Sequence, residues 1–279
     1  MQDTKWIVKG GKVLGPAPFF IAGVVNVTPD SFYDGGTHAD AESGAAHGLE
    51  LARQGAHILD VGGESTRPYA EHVSEEEELA RVLPVIRELA GNEFGAVVSV
   101  DTYKARVAAE SLEAGADIVN DVSAFLFEPE LLDVVAQYRP GYVLMHSLGR
   151  PGTMQDAPRY NDVVAEIMAF FEERLDKLTA AGLPEDRIVL DPGIGFGKTL
   201  EHNLAILRDI DRFKALGFPL YMGLSNKRLW QDLLGLDVDE RHNATMSATA
   251  ILAARGVPIH RLHEVKLAMQ TLTIAREMS

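Results

Sequence analysis

Phe19-Phe20-Ile21-Ala22-Gly23-Val24-Val25-Asn26 is an apolar run that ends in a polar amide, and the stretch Val27 to Gly36 follows it. The same arrangement recurs along the chain: a short run rich in Val and Ile ends in a polar residue and precedes a longer segment with helical spacing. Alternation of this kind predicts strand-helix units and a parallel sheet. The fold therefore depends on how many such units the chain contains.

Eight strands are predicted, each followed by a helix. The predicted strands cover residues 20–25, 57–61, 96–100, 117–119, 141–145, 187–190, 219–222 and 261–265. The predicted helices cover residues 41–54, 74–90, 104–113, 130–138, 162–181, 200–216, 244–255 and 266–277. Eight such units are typical of a (β/α)8 TIM barrel in the α/β class.

The segment before the first barrel strand predicts a short β-hairpin. Gly10-Gly11 separates two apolar runs, Trp6 to Val8 and Val13-Leu14. Two short runs joined by glycines favour an antiparallel pair. We expect residues 1–18 to cap one end of the barrel and residues 1–279 to form a single domain.

Composition excludes several classes of protein. The 279 residues have a formal charge of −15, which disfavours binding to nucleic acid and to anionic membrane surfaces. The chain has no cysteine, so disulfides, zinc-thiolate sites and thiol catalysis are excluded. No apolar run approaches the roughly 18 residues of a membrane span, and no signal peptide is evident. A cytoplasmic location is the default expectation.

Polar residues follow all of the predicted strands. In a TIM barrel the active site lies at the C-terminal ends of the strands, so these residues form one candidate set. Its members are Asn26, Glu64, Asp101, Asn120, His146, Asp191, Ser225 with Lys227, and Arg261 with His263. A single member is more simply a turn or cap residue. Polar residues at all eight ends favour a binding site.

The residue types indicate the ligand's chemistry. Asp101, Asn120 and Asp191 offer acceptors to a planar heterocycle with neighbouring N–H donors, and Lys227 offers a donor to a ring carbonyl. The cationic residues Arg67, Arg261 and His263 suit phosphate groups. Asn26 supplies an oxygen ligand for a phosphate-bound Mg²⁺, a metal that usually keeps few protein ligands.

The motifs that contain these residues resemble the dihydropteroate synthases, enzymes of the folate pathway. The matching segments are residues 26–36 (NVTPDSFYDGG), 60–68 (DVGGESTRP), 99–102 (SVDT), 120–121, 145–146, 153–155, 191–198 (DPGIGFGK) and 261–263 (RLH). The resemblance extends from about Phe19 to Val265 and preserves the order of the motifs.

The resemblance implies a reaction and a pterin-binding barrel domain. The family condenses 6-hydroxymethyl-7,8-dihydropterin diphosphate with 4-aminobenzoate and releases 7,8-dihydropteroate and diphosphate, with Mg²⁺ as cofactor. Because diphosphate is a good leaving group once its charge is neutralised, an SN1-like route is expected, with Asp34 and Asp101 favouring the methylene cation. Family members are commonly homodimers, and the Ala-rich helix near residues 244–254 is a candidate contact.

The resemblance also assigns residues to the parts of the substrates. Those implied for the pterin are Asp101, Asn120, Met145, Asp191, Phe196, Lys227 and Arg261. Those implied for the diphosphate are Asn26, which also binds Mg²⁺, Thr66, Arg67, Arg261 and His263. Those implied for 4-aminobenzoate are Phe32, Pro68, Lys227 and Arg228. The catalytic set is Asn26, Asp34, Arg67, Asp101, Lys227, Arg261 and His263.

The seventh strand end departs from the family pattern. The family usually has Ser-Arg-Lys-Ser, whereas this chain has Ser225-Asn226-Lys227-Arg228, and Leu148 stands where Gln is common. Two other functions therefore stay open from sequence. One is a methyltetrahydrofolate methyltransferase, which has no need of diphosphate-binding residues; the other is a non-catalytic pterin-binding paralogue.

Overall fold

Eight parallel strands form one sheet in the computed structural model of the chain, which describes residues 1–28, 36–65, 72–150 and 152–279, without the side chains of residues 36–40. The strands are β3 (Phe20–Asn26), β4 (Ile58–Gly62), β5 (Val97–Asp101), β6 (Ile118–Asp121), β7 (Gly141–Met145), β8 (Ile188–Asp191), β9 (Tyr221–Gly223) and β10 (Ile259–Leu262). Their order is β8-β7-β6-β5-β4-β3-β10-β9. A parallel bridge between Leu190 and Leu220 joins β8 to β9, which confirms the predicted barrel.

Helices surround the strands. They are α1 (Gly36–Arg53), α2 (Glu75–Leu89), α3 (Ala105–Ala114), α4 (Leu131–Tyr138), α5 (Val163–Ala180), α6 (Leu200–Arg208), α7 (Ile210–Lys214), α8 (Leu229–Leu234), α9 (His242–Ala254) and α10 (Val265–Glu277). The predicted start of α2 is confirmed, because the Ser74 hydroxyl accepts a hydrogen bond from the Glu77 N–H at 3.2 Å. Within the described ranges, no helix combines the length and apolar composition needed to cross a membrane.

The predicted hairpin is present as the antiparallel strands β1 (Thr4–Ile7) and β2 (Val13–Ala17). Trp6 and Val8 are buried in the same apolar cluster as Phe20 and Ile58 of the barrel interior. The Trp6 indole also donates a hydrogen bond of 2.8 Å to the Arg187 carbonyl. The hairpin thus packs on the N-terminal end of the barrel, opposite the end where a site is expected.

The prediction of one helix over residues 200–216 is wrong. The chain leaves helical geometry at Asp209, and the helices α6 and α7 lie on either side. Arg255 stabilises this break, since it donates hydrogen bonds of 2.8 Å to the carbonyls of Leu207 and Arg208 and contacts the Asp211 carboxylate at 2.6 Å. In a continuous helix these two carbonyls would accept hydrogen bonds from backbone N–H groups, but here the Arg255 side chain binds them. The spacing of apolar residues in the sequence does not reveal a partner so far along the chain.

The boundaries predicted for the last strand are also wrong. Residues 261–265 are predicted, whereas β10 covers Ile259–Leu262. His260 and Arg261 lie within this short strand, and both are polar although they face opposite sides of it. The alternation of apolar and polar residues that marks a strand is therefore missing in β10. The consequence is that Arg261 is the third residue of the strand and points into the barrel, instead of being its first residue as predicted.

Candidate active site

The strands place their polar residues inside the barrel. Along β4, Ile58 packs in the inner apolar cluster, whereas Leu59 and Val61 pack in the outer cluster between sheet and helices. Since side chains alternate along a strand, Asp60 faces inward one layer above Ile58. The same alternation turns inward the polar residues of four other strands, namely Asp101, Asn120, Asp191 and Arg261.

A salt-bridge network forms the centre of this inner layer. Arg261 donates from Nε to Asp60 Oδ2 at 2.6 Å and from Nη2 to Asp101 Oδ2 at 2.7 Å. Asn120 donates from Nδ2 to the same Asp60 oxygen at 3.1 Å. The Oδ1 atoms of Asp60 and Asp101 are buried and have no hydrogen-bond partner in the described part of the chain. A buried acceptor without a partner is costly, so the free Oδ1 of Asp101 points to a ligand that donates hydrogen bonds.

Burial changes the ionisation of the groups around this network. It raises the pKa of Asp101 to about 7 and that of Asp191 to about 6, because it disfavours the charged carboxylates. Burial lowers the pKa of Lys227 to about 8, because it disfavours the charged ammonium. Burial also acts to lower the pKa of Arg261, but Asp60 and Asp101 outweigh it and raise that pKa overall. Perturbed pKa values of both signs in one place are typical of a functional site.

The loop after β8 holds Asp191 in place. The Gly193 N–H donates to Asp191 Oδ1 at 2.7 Å, and Gly193 has a φ of +69°. A Cβ atom at Gly193 would lie 2.0 Å from the His146 carbonyl oxygen, so only glycine fits. Lys198 closes the loop by donating to the carbonyls of His146 and Phe196 at 3.3 and 3.0 Å.

His146, one of the predicted strand-end residues, contacts Lys198 and Phe170. Its Nδ1 lies 3.0 Å from Lys198 Nζ, and its ring packs edge-on against Phe170 with centroids 4.8 Å apart. Burial, followed by the nearby Lys198 charge, lowers its pKa. Of the polar strand ends predicted from sequence, this one stabilises the loop instead of facing the acceptors.

An apolar slot lies beside the acceptors. Met145 and Phe196, both predicted for the site, are buried in one cluster with Tyr103, Val122 and Met154. The Lys227 ammonium lies 4.2 Å from the centre of the Phe196 ring, a distance typical of a cation–π contact. A flat ring that enters this slot would meet apolar side chains on its faces and polar groups at its edge.

The seventh and eighth strand ends are linked through Ser225. Its hydroxyl lies 2.8 Å from His263 Nδ1 and so orients the imidazole. The backbone of Asn226 has a φ of +58°, and the buried Arg241 donates to its carbonyl at 3.1 Å and to the Leu236 carbonyl at 3.2 Å. These contacts fix the short segment that precedes α8 and contains Lys227.

Arg228 points away from the buried acceptors. Its side chain is 79% exposed and its Nε lies 3.3 Å from Asp232 Oδ1, one turn further along α8. The guanidinium therefore does not block the slot. The guanidinium lies at the rim of the slot. Its exposed ion pair with Asp232 is weak, so it can leave Asp232 and bind the carboxylate of a ligand instead.

Glu64, at the second strand end, belongs to a separate ion cluster. The buried Lys104 contacts Glu64 and Glu78 at 2.5 Å each and donates to the Val73 carbonyl at 2.6 Å. Tyr103 donates from its hydroxyl to Glu64 at 3.2 Å. Glu64 is thus directed to Lys104 and does not join the acceptors of the slot.

Several predicted residues lie outside the described ranges. They are Phe32, Asp34, Thr66, Arg67 and Pro68. Asn26, the predicted metal ligand, ends β3 and is half-buried. The described residues contain no group of three or more His, Asp or Glu side chains arranged to hold a metal ion.

Asp60 is the central residue that the sequence prediction of the site missed. It lies two residues before the end of β4 and is fully buried, yet it binds two of the predicted ligand residues. A search for polar residues at strand ends passes over it. The usable signal was a carboxylate inside an otherwise apolar strand, which burial makes costly unless it is paired.

Comparison with known proteins agrees with this geometry. Residues 22–263 match the model of a family described as pterin binding enzyme. The dihydropteroate synthase of Escherichia coli K12 is 42% identical over 254 residues, covering 91% of this chain and 89% of that protein.

Two solved structures of dihydropteroate synthase from Xanthomonas albilineans are similar throughout. The one with 4-aminobenzoic acid has a TM-score of 0.92 and 41% identity, and the one with 7,8-dihydropteroate has a TM-score of 0.88 and 39% identity. In both comparisons the match covers 99% of this chain and 98% of the other. The chain therefore belongs to the pterin-binding enzyme family and, within it, to the dihydropteroate synthases, which are transferases of folate biosynthesis.

Proposed function

We propose that this chain condenses 6-hydroxymethyl-7,8-dihydropterin diphosphate with 4-aminobenzoate and releases 7,8-dihydropteroate and diphosphate. The observation that supports this most is the pocket in which the acceptors Asp101, Asn120 and Asp191 lie with Lys227 and Phe196 at the C-terminal strand ends. Its acceptors match the N–H groups of a pterin, and its apolar slot matches the ring faces.

The pterin is held along its edge and on its faces. Asp101, Asn120 and Asp191 accept hydrogen bonds from the ring, and Lys227 donates to the ring carbonyl. Met145 and Phe196 pack on the ring. Arg261 lies against it, held by Asp60 through Nε and by Asp101 through Nη2.

The diphosphate is bound by cationic and polar groups at the rim. Arg261 and His263 face it, the latter in the orientation that Ser225 imposes at 2.8 Å. Thr66 and Arg67, which lie outside the described residues, complete this set. Together they stabilise the negative charge that grows on the leaving group.

Mg²⁺ is the proposed cofactor, with Asn26 as its protein ligand. An amide oxygen at the end of β3 suits a hard cation that takes its other ligands from phosphate and water. When bound, Mg²⁺ neutralises charge on the diphosphate.

The chemistry follows an SN1-like route. The bond between the pterin methylene carbon and the diphosphate oxygen breaks, and its electron pair leaves with the diphosphate. The carboxylates of Asp101 and Asp34 favour the cation that forms, and the amine of 4-aminobenzoate then bonds to the methylene carbon and loses a proton. Because an aryl amine is neutral at pH 7, the protein needs to position it and not to deprotonate it first.

One assay tests the proposed function, the metal and the route. The purified protein is expected to form dihydropteroate only with both substrates and Mg²⁺, and EDTA is expected to abolish the reaction. With ¹⁸O in the bridging oxygen, the SN1-like route predicts that label moves to non-bridging positions of the recovered substrate. Pterin binding without condensation would instead indicate a non-catalytic paralogue. Label that never moves, together with bond cleavage that depends strongly on the amine, would exclude the route.

Phe32, Pro68, Lys227 and Arg228 are proposed to bind 4-aminobenzoate, with Arg228 attracting its carboxylate at the rim. Replacing Arg228 by Ala is expected to raise KM for 4-aminobenzoate about two- to fivefold, because an exposed charge pair contributes up to about 1 kcal/mol. KM for the pterin substrate is expected to stay unchanged in steady-state kinetics. Arg212→Ala is the control, since Arg212 is a half-exposed arginine on another helix and likewise lies near an aspartate, 3.9 Å from Asp209. A change in both KM values would contradict this role.

A homodimer is proposed through α9 and α10, which pack against each other. Their outer side exposes Ile251 by 60%, Ile274 by 59% and Leu267 by 40%, an apolar surface that a second copy of the chain would cover. Sedimentation is expected to give a dimer for the wild type and for Leu234→Glu, whose leucine is 55% exposed elsewhere. Ile251→Glu is expected to give a monomer, and a dimer that survives this change would exclude the surface.

A further inference from the structure

Asp60 binds two of the residues that face the ligand. It is fully buried inside the barrel, and its Oδ2 accepts from Arg261 Nε at 2.6 Å and from Asn120 Nδ2 at 3.1 Å. Both of these partners, Arg261 and Asn120, belong to the residues predicted to bind the ligand. The carboxylate therefore lies one step behind the ligand-binding side chains and not among them.

The Asp60 carboxylate decides which end of Asn120 faces the pocket. A carboxylate paired with a guanidinium only accepts hydrogen bonds, so the Asn120 amide must turn its NH₂ group to Asp60. The orientation of an Asn side chain is assigned from its partners, and here the partner allows a single choice. The carbonyl oxygen of Asn120 is then the end that a ligand can reach.

We propose that Asp60 is a positioning residue that makes Asn120 present its carbonyl oxygen to the pterin and thereby selects a ring edge made of N–H donors. The inference rests on the proposed function, because it takes a pterin as the ligand. Asp60 itself does not touch the substrate.

The carboxylates next to Asn120 also present hydrogen-bond acceptors to the pocket. Asp101 Oδ1 is a buried acceptor without a partner among the described residues, and Asp191 is a second carboxylate in the layer. A pterin brings its 2-amino group and a ring N–H to such a surface. An analogue with a carbonyl at C2 instead of the amino group would bring oxygen against oxygen, and an unpaired buried group of this kind costs about ten- to a hundredfold in affinity.

The test compares two ligands on two variants by isothermal titration calorimetry. The ligands are 6-hydroxymethylpterin and its 2,4-dioxo analogue. The wild type is expected to prefer the pterin by about ten- to a hundredfold. In Asp60→Asn the amide at residue 60 can donate as well as accept, so Asn120 can rotate and the preference is expected to fall about tenfold. Ser99→Ala is the matched control, because Ser99 is buried beside Asp60 in the sheet register and its Oγ has no hydrogen-bond partner among the described residues.

Different outcomes of this test bear on the positioning role of Asp60 and on the proposed function. Equal weakening of both ligands in Asp60→Asn, or an unchanged preference, would overturn the positioning role while the wild type still binds pterin. A wild type that binds neither ligand would overturn the proposed function and the inference with it. A fall in preference for Asp60→Asn and not for Ser99→Ala supports the inference.

A second measurement applies if Asp60→Asn does not fold. The side-chain amide signals of Asn120 can be assigned in ¹⁵N NMR spectra by their loss in Asn120→Ala. In the wild type they are expected to exchange slowly with water and to keep their positions when 6-hydroxymethylpterin binds. Loss of this protection, or a large shift on binding, would mean that the NH₂ group faces the ligand and would overturn the inference.

Discussion

Replacing Asp191 by Asn is expected to weaken the binding of 6-hydroxymethylpterin by about ten- to a hundredfold. The substitution turns an acceptor with two oxygens into a group that also donates, so one ring N–H loses a charged hydrogen bond and meets another donor. Charged hydrogen bonds of this kind contribute about 1.5–3 kcal/mol each. Titration calorimetry measures the effect, and Asp133→Asn is the control because Asp133 is an exposed carboxylate on α4.

The same substitution is not expected to destabilise the ligand-free protein. Burial raises the pKa of Asp191 to about 6, so between about pH 4 and pH 6 the folded state holds a proton that the unfolded state releases. The ionised carboxylate therefore opposes folding above this window. The neutral amide of the Asp191→Asn variant would avoid that cost at pH 8 while keeping an acceptor for the Gly193 N–H. A lower Tm at pH 8, or less than a tenfold loss of affinity, would contradict this interpretation of Asp191.

Replacing Lys104 by Met is expected to lower the free energy of unfolding by about 3–5 kcal/mol, because it leaves Glu64 and Glu78 buried without their cation. For a protein of this size each kcal/mol lowers Tm by about 2–4 °C, so Tm falls by roughly 10 °C. Differential scanning calorimetry checks the result.

A surface lysine provides the comparison for Lys104. Lys177 contacts Glu173 at 2.6 Å, but both side chains are about half exposed, so Lys177→Met is expected to cost less than about 1 kcal/mol. The triple variant Lys104→Met, Glu64→Gln, Glu78→Gln is expected to recover part of the loss, since it removes the uncompensated charges. Equal effects of Lys104→Met and Lys177→Met would show that the buried cluster does not stabilise the fold.

The barrel and most of its polar layer could be predicted from sequence because they depend on local periodicity. Strands such as β3 and β7 are mostly apolar; β3 ends at Asn26, and His146 follows β7, so their pattern is read within a few positions. The acceptors Asp101, Asn120 and Asp191 end or nearly end their strands, and the topology of a parallel barrel then places them at one end.

What could not be predicted depends on partners far along the chain. Asp60 is recognisable as a site residue only once Arg261, 201 positions later, is known to lie beside it. Arg255 breaks the helix at Asp209 from 48 positions beyond Leu207. Glu64 is a candidate site residue in the sequence because it follows a strand. Its actual partner, Lys104, contacts it only in the folded protein. Pairings of this kind have no periodic signature in the sequence.

The hairpin that packs on the N-terminal end of the barrel is synthesised before the barrel strands and docks late. Trp6 binds the carbonyl of Arg187, which lies 181 residues further along the chain. At translation rates of about 5–20 residues per second, that partner leaves the ribosome roughly 10–40 s after Trp6 does. The hairpin strands must therefore wait, with the Trp6 ring exposed, until most of the barrel exists. The hairpin is thus the part of the described fold whose docking depends most on the progress of synthesis.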